Sequence, residues 1–180
     1  MAQTDGHISL RKIISDYPDF PQKGILFRDV NPVFRQYEAL NYICNEFYRR
    51  FSKAKIDIIA GIESRGFVVA AALALTFRTG MVMVRKAGKL PGATLRKAYD
   101  IEYGHAIMEI QREGINKGQR VLVVDDLIAT GGTAVAASQL IEELGSQVAG
   151  FAFIIELSDL RGSDRLRSMG YDVQSLVTYP

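Results

Sequence analysis

The chain predicts an α/β fold with a parallel sheet flanked by helices, and three observations carry that prediction. From Ile56 onward, short Val- and Ile-rich runs alternate with helical patterns, as strands joined by crossover helices do. One such run, Val121 to Val124, stops at paired carboxylates, Asp125 and Asp126. Beyond them a loop of small residues, Ala129 to Thr133, leads into an apolar helical stripe of Ala134, Ala137, Ile141 and Leu144, and Gly145 stands where a left-handed helix end belongs.

The 180 residues suit a single domain, 1–180, able to bury about two thirds of its unfolded surface. With 48% hydrophobic and 23% charged residues the composition is that of a globular protein, and a formal net charge of +2, spread along the chain, gives no footprint for nucleic acid. Cys44 is the sole cysteine, so no internal disulfide forms; its place on an apolar helix face reads as a core thiol. Met1 to His7 carries no hydrophobic signal region, and the longest apolar run, Phe67 to Leu75, is too short to span a bilayer. These features predict a cytoplasmic protein with no membrane partner. His7 and His105 have no spacing partners that would make a metal site.

Taken in order, residues 8 to 17 carry an imperfect amphipathic stripe of Ile8, Leu10, Ile13, Ile14 and Tyr17, which predicts a short helix ended by Pro18. Tyr17 to Asp29, punctuated by Pro18, Pro21 and Gly24, reads as an irregular or strand-like crossing. Leu40, Ile43, Cys44, Phe47 and Phe51 predict a helix over residues 39 to 51. A strand from Ile56 to Ile62, a buried helix from Phe67 to Leu75 and a strand from Met81 to Arg85 follow. Lys86 to Thr94, with Gly88, Pro91 and Gly92, lacks periodicity and reads as a loop; alternation from Tyr99 to Gln111 suits a hairpin turning at Tyr103-Gly104. Val148 to Leu157 is a buried strand, and a short amphipathic piece and a strand near Val173 to Val177 close the chain.

The chemistry gathers where strands end. After Val121–Val124, the amides of a helix's first turn face outward and invite an anion, above all phosphate. Gly131 and Gly132 let the backbone curl round a ligand, and Thr130 and Thr133 add hydroxyl donors. Carboxylates beside a phosphate site make sense if the ligand also offers hydroxyls, so a sugar phosphate is expected, with Asp125 or Asp126 accepting from ribose. Gly61 to Gly66 is spaced like a nucleotide-binding P-loop, but Phe67 stands where its Lys would be, which disfavours nucleoside triphosphate hydrolysis.

Strand, acid pair and Thr130-Gly131-Gly132-Thr133 together resemble the phosphoribosyl diphosphate motif of the type I phosphoribosyltransferase family. Within it, Ser64, Arg65 and Gly66 resemble the pyrophosphate loop of the adenine-specific branch, with Glu63 where Asp is more common. The cationic segment Arg85 to Gly92, continuing to Tyr99–Gly104, resembles the family's flexible lid hairpin. Gly24 to Val30 resembles its small N-terminal hood, contributed by about residues 1–35.

The resemblance implies transfer of 5-phosphoribosyl from phosphoribosyl diphosphate to adenine, giving AMP and pyrophosphate in purine salvage. It implies that Glu102 is the general acid/base and Arg65 a second catalytic residue. Phosphoribosyl diphosphate would be bound by Ser64, Arg65, Gly66, Lys86, Lys89, Tyr103, Asp125, Asp126, Ala129, Thr130, Gly131, Gly132 and Thr133. Adenine would meet Leu26, Phe27 as a stacking ring, Arg28, Leu127, Ile128 and Leu160. Mg²⁺ is the implied cofactor, carried mainly by the substrate and not by a protein metal site, and a homodimer is the implied assembly. Asp159 receives no role. The rival readings are a phosphoribosyltransferase for another base and a regulatory module that binds phosphoribosyl diphosphate without turnover.

Overall fold

The computed structural model describes residues 8–101 and 104–180. They form two compact units that divide between Ile43 and Cys44. In the first, α1 (Leu10–Ile13) is followed by β1 (Ser15–Pro18), β2 (Leu26–Asp29) and α2 (Asn31–Phe34), and α3 (Tyr37–Phe51) begins. β1 and β2 pair antiparallel from Ser15 with Asp29 to Pro18 with Leu26. The helix expected over residues 8 to 17 is therefore a single turn. Ile14 already has extended backbone angles, because the following residues gain a ladder of hydrogen bonds from a segment further along the chain, which a local stripe does not reveal.

α3 buries Ile43, Cys44, Phe47 and Phe51 as the apolar spacing predicts, but at its start Ala39 is buried and Leu40 only half-buried. From Cys44 onward the second unit alternates strand and helix: β3 (Ile58–Ile62), α4 (Gly66–Phe77), β4 (Gly80–Lys86), β5 (Thr94–Ile101), β6 (Gly104–Gln111), β7 (Arg120–Ile128), α5 (Gly132–Glu143), β8 (Gln147–Leu157), α6 (Gly162–Ser168) and β9 (Val173–Tyr179). These strands make one seven-stranded sheet in the order β5-β6-β4-β3-β7-β8-β9. The parallel core runs from β4 through β9, and the hairpin β5–β6 adds an antiparallel edge beyond β4. Hairpin connections are too short for a crossover, so they force that direction.

Two strand boundaries differ most from the sequence expectation. The hairpin begins at Thr94 and not Tyr99. β7 does not stop before its carboxylates: it runs through Asp125 and Asp126 to Ile128. The long neighbour β8 supplies partners as far as Ile128 with Glu156, and these hold polar residues in strand geometry that propensity alone does not predict. At the far end of α5, the Gly145 amide donates to the Glu142 carbonyl and the Ser146 amide to that of Ile141, with Gly145 at φ +81°. This is the left-handed helix end that the sequence signalled.

The topology places the site. β3 and β7 are adjacent and parallel; β3 leads through α4 to β4 on one side, and β7 leads through α5 to β8 on the other. Connections leaving in opposite directions open a crevice at the carboxyl ends of the two strands. The segments after Ile62 and after Ile128 both flank it.

Candidate active site

Two contiguous cavities occupy this crevice. The smaller, of about 120 Å³, is lined by Leu127, Ile128, Ala129, Thr130, Gly131, Gly132 and Thr133 together with Asp125, Ile62, Ala134 and Phe153. The larger, of about 280 Å³, is lined by Glu63, Ser64, Arg65, Asp125, Asp126 and Leu127. Asp125 and Leu127 belong to both walls, so one ligand can span them.

The smaller cavity is built from a helix start without a cap. Gly131, at φ +80°, precedes α5 and has no side chain to occupy the first-turn amides, which leaves them for an anion. Across the loop the Gly162 amide donates to the Ala129 carbonyl at 3.0 Å. A Cβ on Gly162 would fall 2.2 Å from that oxygen and 2.7 Å from the Gly131 nitrogen. Gly162 thus sets the shape of the Ala129–Thr133 loop, a role that its isolated place in the sequence does not reveal.

The acid pair divides in function because a strand points successive side chains to opposite faces. Asp126 is buried and accepts from Arg65 Nε at 2.5 Å. This contact ties the Ser64–Gly66 segment to β7. Asp125 keeps partial exposure as a residue, yet its Oδ1 faces the Gly66 backbone and accepts the Asp126 amide at 2.9 Å. Burial of this carboxyl, reinforced by the Asp126 charge, pushes its pKa well above the ordinary carboxylate range.

Lys86 ends β4, and Lys89 lies in the connection that follows. Both side chains are exposed, and their backbones are held by acids the sequence reading did not weigh as supports. Glu63 accepts the Lys86 amide at 3.0 Å and two Arg85 nitrogens at 3.1 and 3.3 Å. Glu109, on β6, accepts the amides of Lys89 and Leu90 at 2.8 and 2.9 Å. Neither the burial of Glu109 nor its partners are legible in the sequence, because alternation would place it on the face of exposed Ile107 and Gln111. Among the described residues no cluster of three or more His, Cys, Asp or Glu side chains is arranged to hold a metal ion.

Leu26, Phe27 and Arg28 are on β2 of the first unit, where Phe27 packs edge-on against Phe20 at 5.1 Å and Arg28 pairs with Asp16. Leu160, like Asp159, is exposed in the short turn Ser158–Leu160 after β8 and lines neither cavity. Glu102 and Tyr103 lie outside the described residues.

The profile of the phosphoribosyl transferase domain family matches residues 36–177. The adenine phosphoribosyltransferase of Nitrosopumilus maritimus is 54% identical over 172 residues, covering 96% of this chain and 100% of that protein. Among solved structures, the adenine phosphoribosyltransferase of Thermoanaerobacter pseudethanolicus superposes with a TM-score of 0.90 at 43% identity, covering 94% of this chain and 98% of that one. The enzyme of Saccharomyces cerevisiae, complexed with an imino-altritol bisphosphate and adenine, gives 0.87 at 41%, covering 93% and 96%. With the acid pair, the Ala129–Thr133 loop and the Ser64–Gly66 segment assembled at one crevice, the chain belongs to the adenine phosphoribosyltransferases of the type I phosphoribosyltransferase family.

Proposed function

We propose that the chain transfers the 5-phosphoribosyl group from phosphoribosyl diphosphate to adenine, giving AMP and pyrophosphate in purine salvage. The observation that carries this reading is the pair of cavities sharing Asp125 and Leu127. The smaller suits the 5-phosphate, held by Ala129 to Thr133 and the first-turn amides of α5; the larger suits the diphosphate, met by Ser64, Arg65, the Gly66 amide and the lysines Lys86 and Lys89. Between them Asp125, common to both walls, accepts from the ribose hydroxyls, and Asp126 contributes to the site through Arg65.

In the reaction the ribose C1–oxygen bond breaks, the diphosphate leaves with the electron pair, and the adenine N9 lone pair forms the new C–N bond. Positive charge grows on the ribose and negative charge on the leaving group, so cations fixed around the diphosphate lower the barrier. Glu102 takes the proton that adenine releases, and Tyr103 is a phosphoribosyl diphosphate contact. Leu26, Phe27 and Arg28 of the hood, about residues 1–35, with Leu127, Ile128 and Leu160, are the adenine contacts within a single 1–180 domain.

Mg²⁺ would be carried mainly by the diphosphate and ribose oxygens with water, and not by a protein metal site. When bound, it neutralises diphosphate charge. A homodimer is supported by large exposed apolar side chains on α4, β4 and β6, namely Val68, Leu75, Met83 and Ile107; sedimentation as a monomer at assay concentration would refute it. A cytoplasmic setting agrees with the lone free cysteine, and the modest net charge of +2 with small-molecule partners.

The test is pyrophosphate release from phosphoribosyl diphosphate and Mg²⁺ with adenine, hypoxanthine, guanine or orotate in parallel. Release with adenine alone is expected. Preference for another base would overturn the base assignment, and binding without release in every well would overturn catalysis.

A further inference from the structure

A fully buried carboxylate stands behind the cationic loop. Glu109 has no exposure to solvent, and its neighbours on β6, Met108 and Ile110, are core residues. Every oxygen is nevertheless satisfied. Oε1 accepts the amides of Lys89 and Leu90 at 2.8 and 2.9 Å, and Oε2 accepts the Thr94 hydroxyl at 3.3 Å and Arg96 Nε at 3.1 Å.

The Lys89 peptide is gripped from the other end as well. Arg85 Nη1 donates to the Lys89 carbonyl at 3.1 Å, while the same guanidinium is braced on Glu63. One residue of an otherwise irregular loop is thus fixed at both its donor and its acceptor. Arg85 thus links the Lys89 peptide to Glu63, which is part of the larger cavity's wall.

A buried ion pair is a poor source of stability, since apolar side chains of similar volume generally do as well or better. Its geometric consequence is the more informative property. We propose that Glu109 is a positioning residue for phosphoribosyl transfer: by clamping the Lys89 peptide, it holds the Lys89 ammonium where the diphosphate binds. This rests on the reading of Lys89 as a diphosphate ligand.

A double-mutant cycle tests it in the full-length enzyme, with KM for phosphoribosyl diphosphate, KM for adenine and kcat measured for wild type, Glu109→Gln, Lys89→Ala and the double variant. Replacing the carboxylate weakens a charge-assisted clamp, so Glu109→Gln should raise KM for phosphoribosyl diphosphate about fivefold and leave that for adenine unchanged. In the Lys89→Ala background the same replacement should have almost no effect, because coupled residues are non-additive. An equal multiple in both backgrounds, or no rise in the wild-type background, would overturn the proposal. A Lys89→Ala enzyme with an unaltered KM would instead overturn the ligand reading, and the clamp's catalytic purpose with it. Should Glu109→Gln not fold, Arg96→Met removes the charged partner that fixes Glu109 Oε2 and carries the same cycle, with the same outcomes.

Discussion

A Cβ on Gly66 would fall 2.8 Å from Asp125 Oδ1 and 2.8 Å from the Val124 carbonyl oxygen, so the two halves of the crevice meet through a residue that has no side chain. The segment after β3 and the end of β7 approach each other as closely as backbone permits. Gly66→Ala should destabilise the protein by about 1–3 kcal/mol through overpacking and raise KM for phosphoribosyl diphosphate. Thermal unfolding and steady-state kinetics check this; an alanine variant with both values unchanged would show that the crevice does not need this approach.

Asp125 carries the opposite signature from a stabilising acid. Its folded pKa is raised, so its contribution is favourable below the unfolded carboxylate pKa and is lost as pH rises through the folded value. Asp125→Asn should therefore raise Tm at neutral pH, by roughly 2–4 °C for each kcal/mol recovered, while weakening phosphoribosyl diphosphate binding by calorimetry. A variant less stable than wild type at neutral pH would contradict the assignment of strain to this carboxyl.

Glu63 and Glu109 work the other way. Burial opposes their charge, but hydrogen bonds from Arg85 and the Lys86 amide in the first case, and from the Leu90 and Lys89 amides and Arg96 in the second, outweigh it and lower both pKa values. Their stabilisation is fully present above the unfolded carboxylate pKa and is lost as pH falls through the lowered folded values. Urea unfolding midpoints should decline on acidification more steeply for wild type than for Glu109→Gln, and parallel declines would exclude Glu109 as a source.

Asp126→Asn removes the charge that Arg65 Nε meets at 2.5 Å. Because Asp126 is buried and Arg65 is partly exposed, the loss of stability should be modest, on the order of 1–2 kcal/mol. Affinity for pyrophosphate, measured calorimetrically, should fall together with it as Arg65 loses its fixed direction. Unchanged affinity would separate the pair from ligand binding.

Glu102→Gln should lower kcat with adenine by roughly 10²–10⁴-fold, as for loss of a general acid/base, with little change in phosphoribosyl diphosphate affinity. Full turnover in that variant would remove Glu102 from the mechanism.

What the sequence determined by itself was the alternation of strand and helix, the glycine end of α5 at Gly145, and the identity of the segments at Ser64–Gly66 and Ala129–Thr133. Each is written in contiguous residues whose periodicity or backbone requirements are local. Tertiary structure decided the rest. Only pairing with β8 carries β7 past Asp125 and Asp126, and only the adjacency of β3 and β7 gives Arg65 to Asp126 and Gly66 to Asp125 across some sixty positions of sequence. Gly162 against Ala129, and Glu109 beneath Lys89, are likewise long-range contacts with no local pattern. Periodicity reports which face of an element is buried; it does not report which distant backbone group a buried carboxylate or a bare glycine will meet, because that depends on strand order and register.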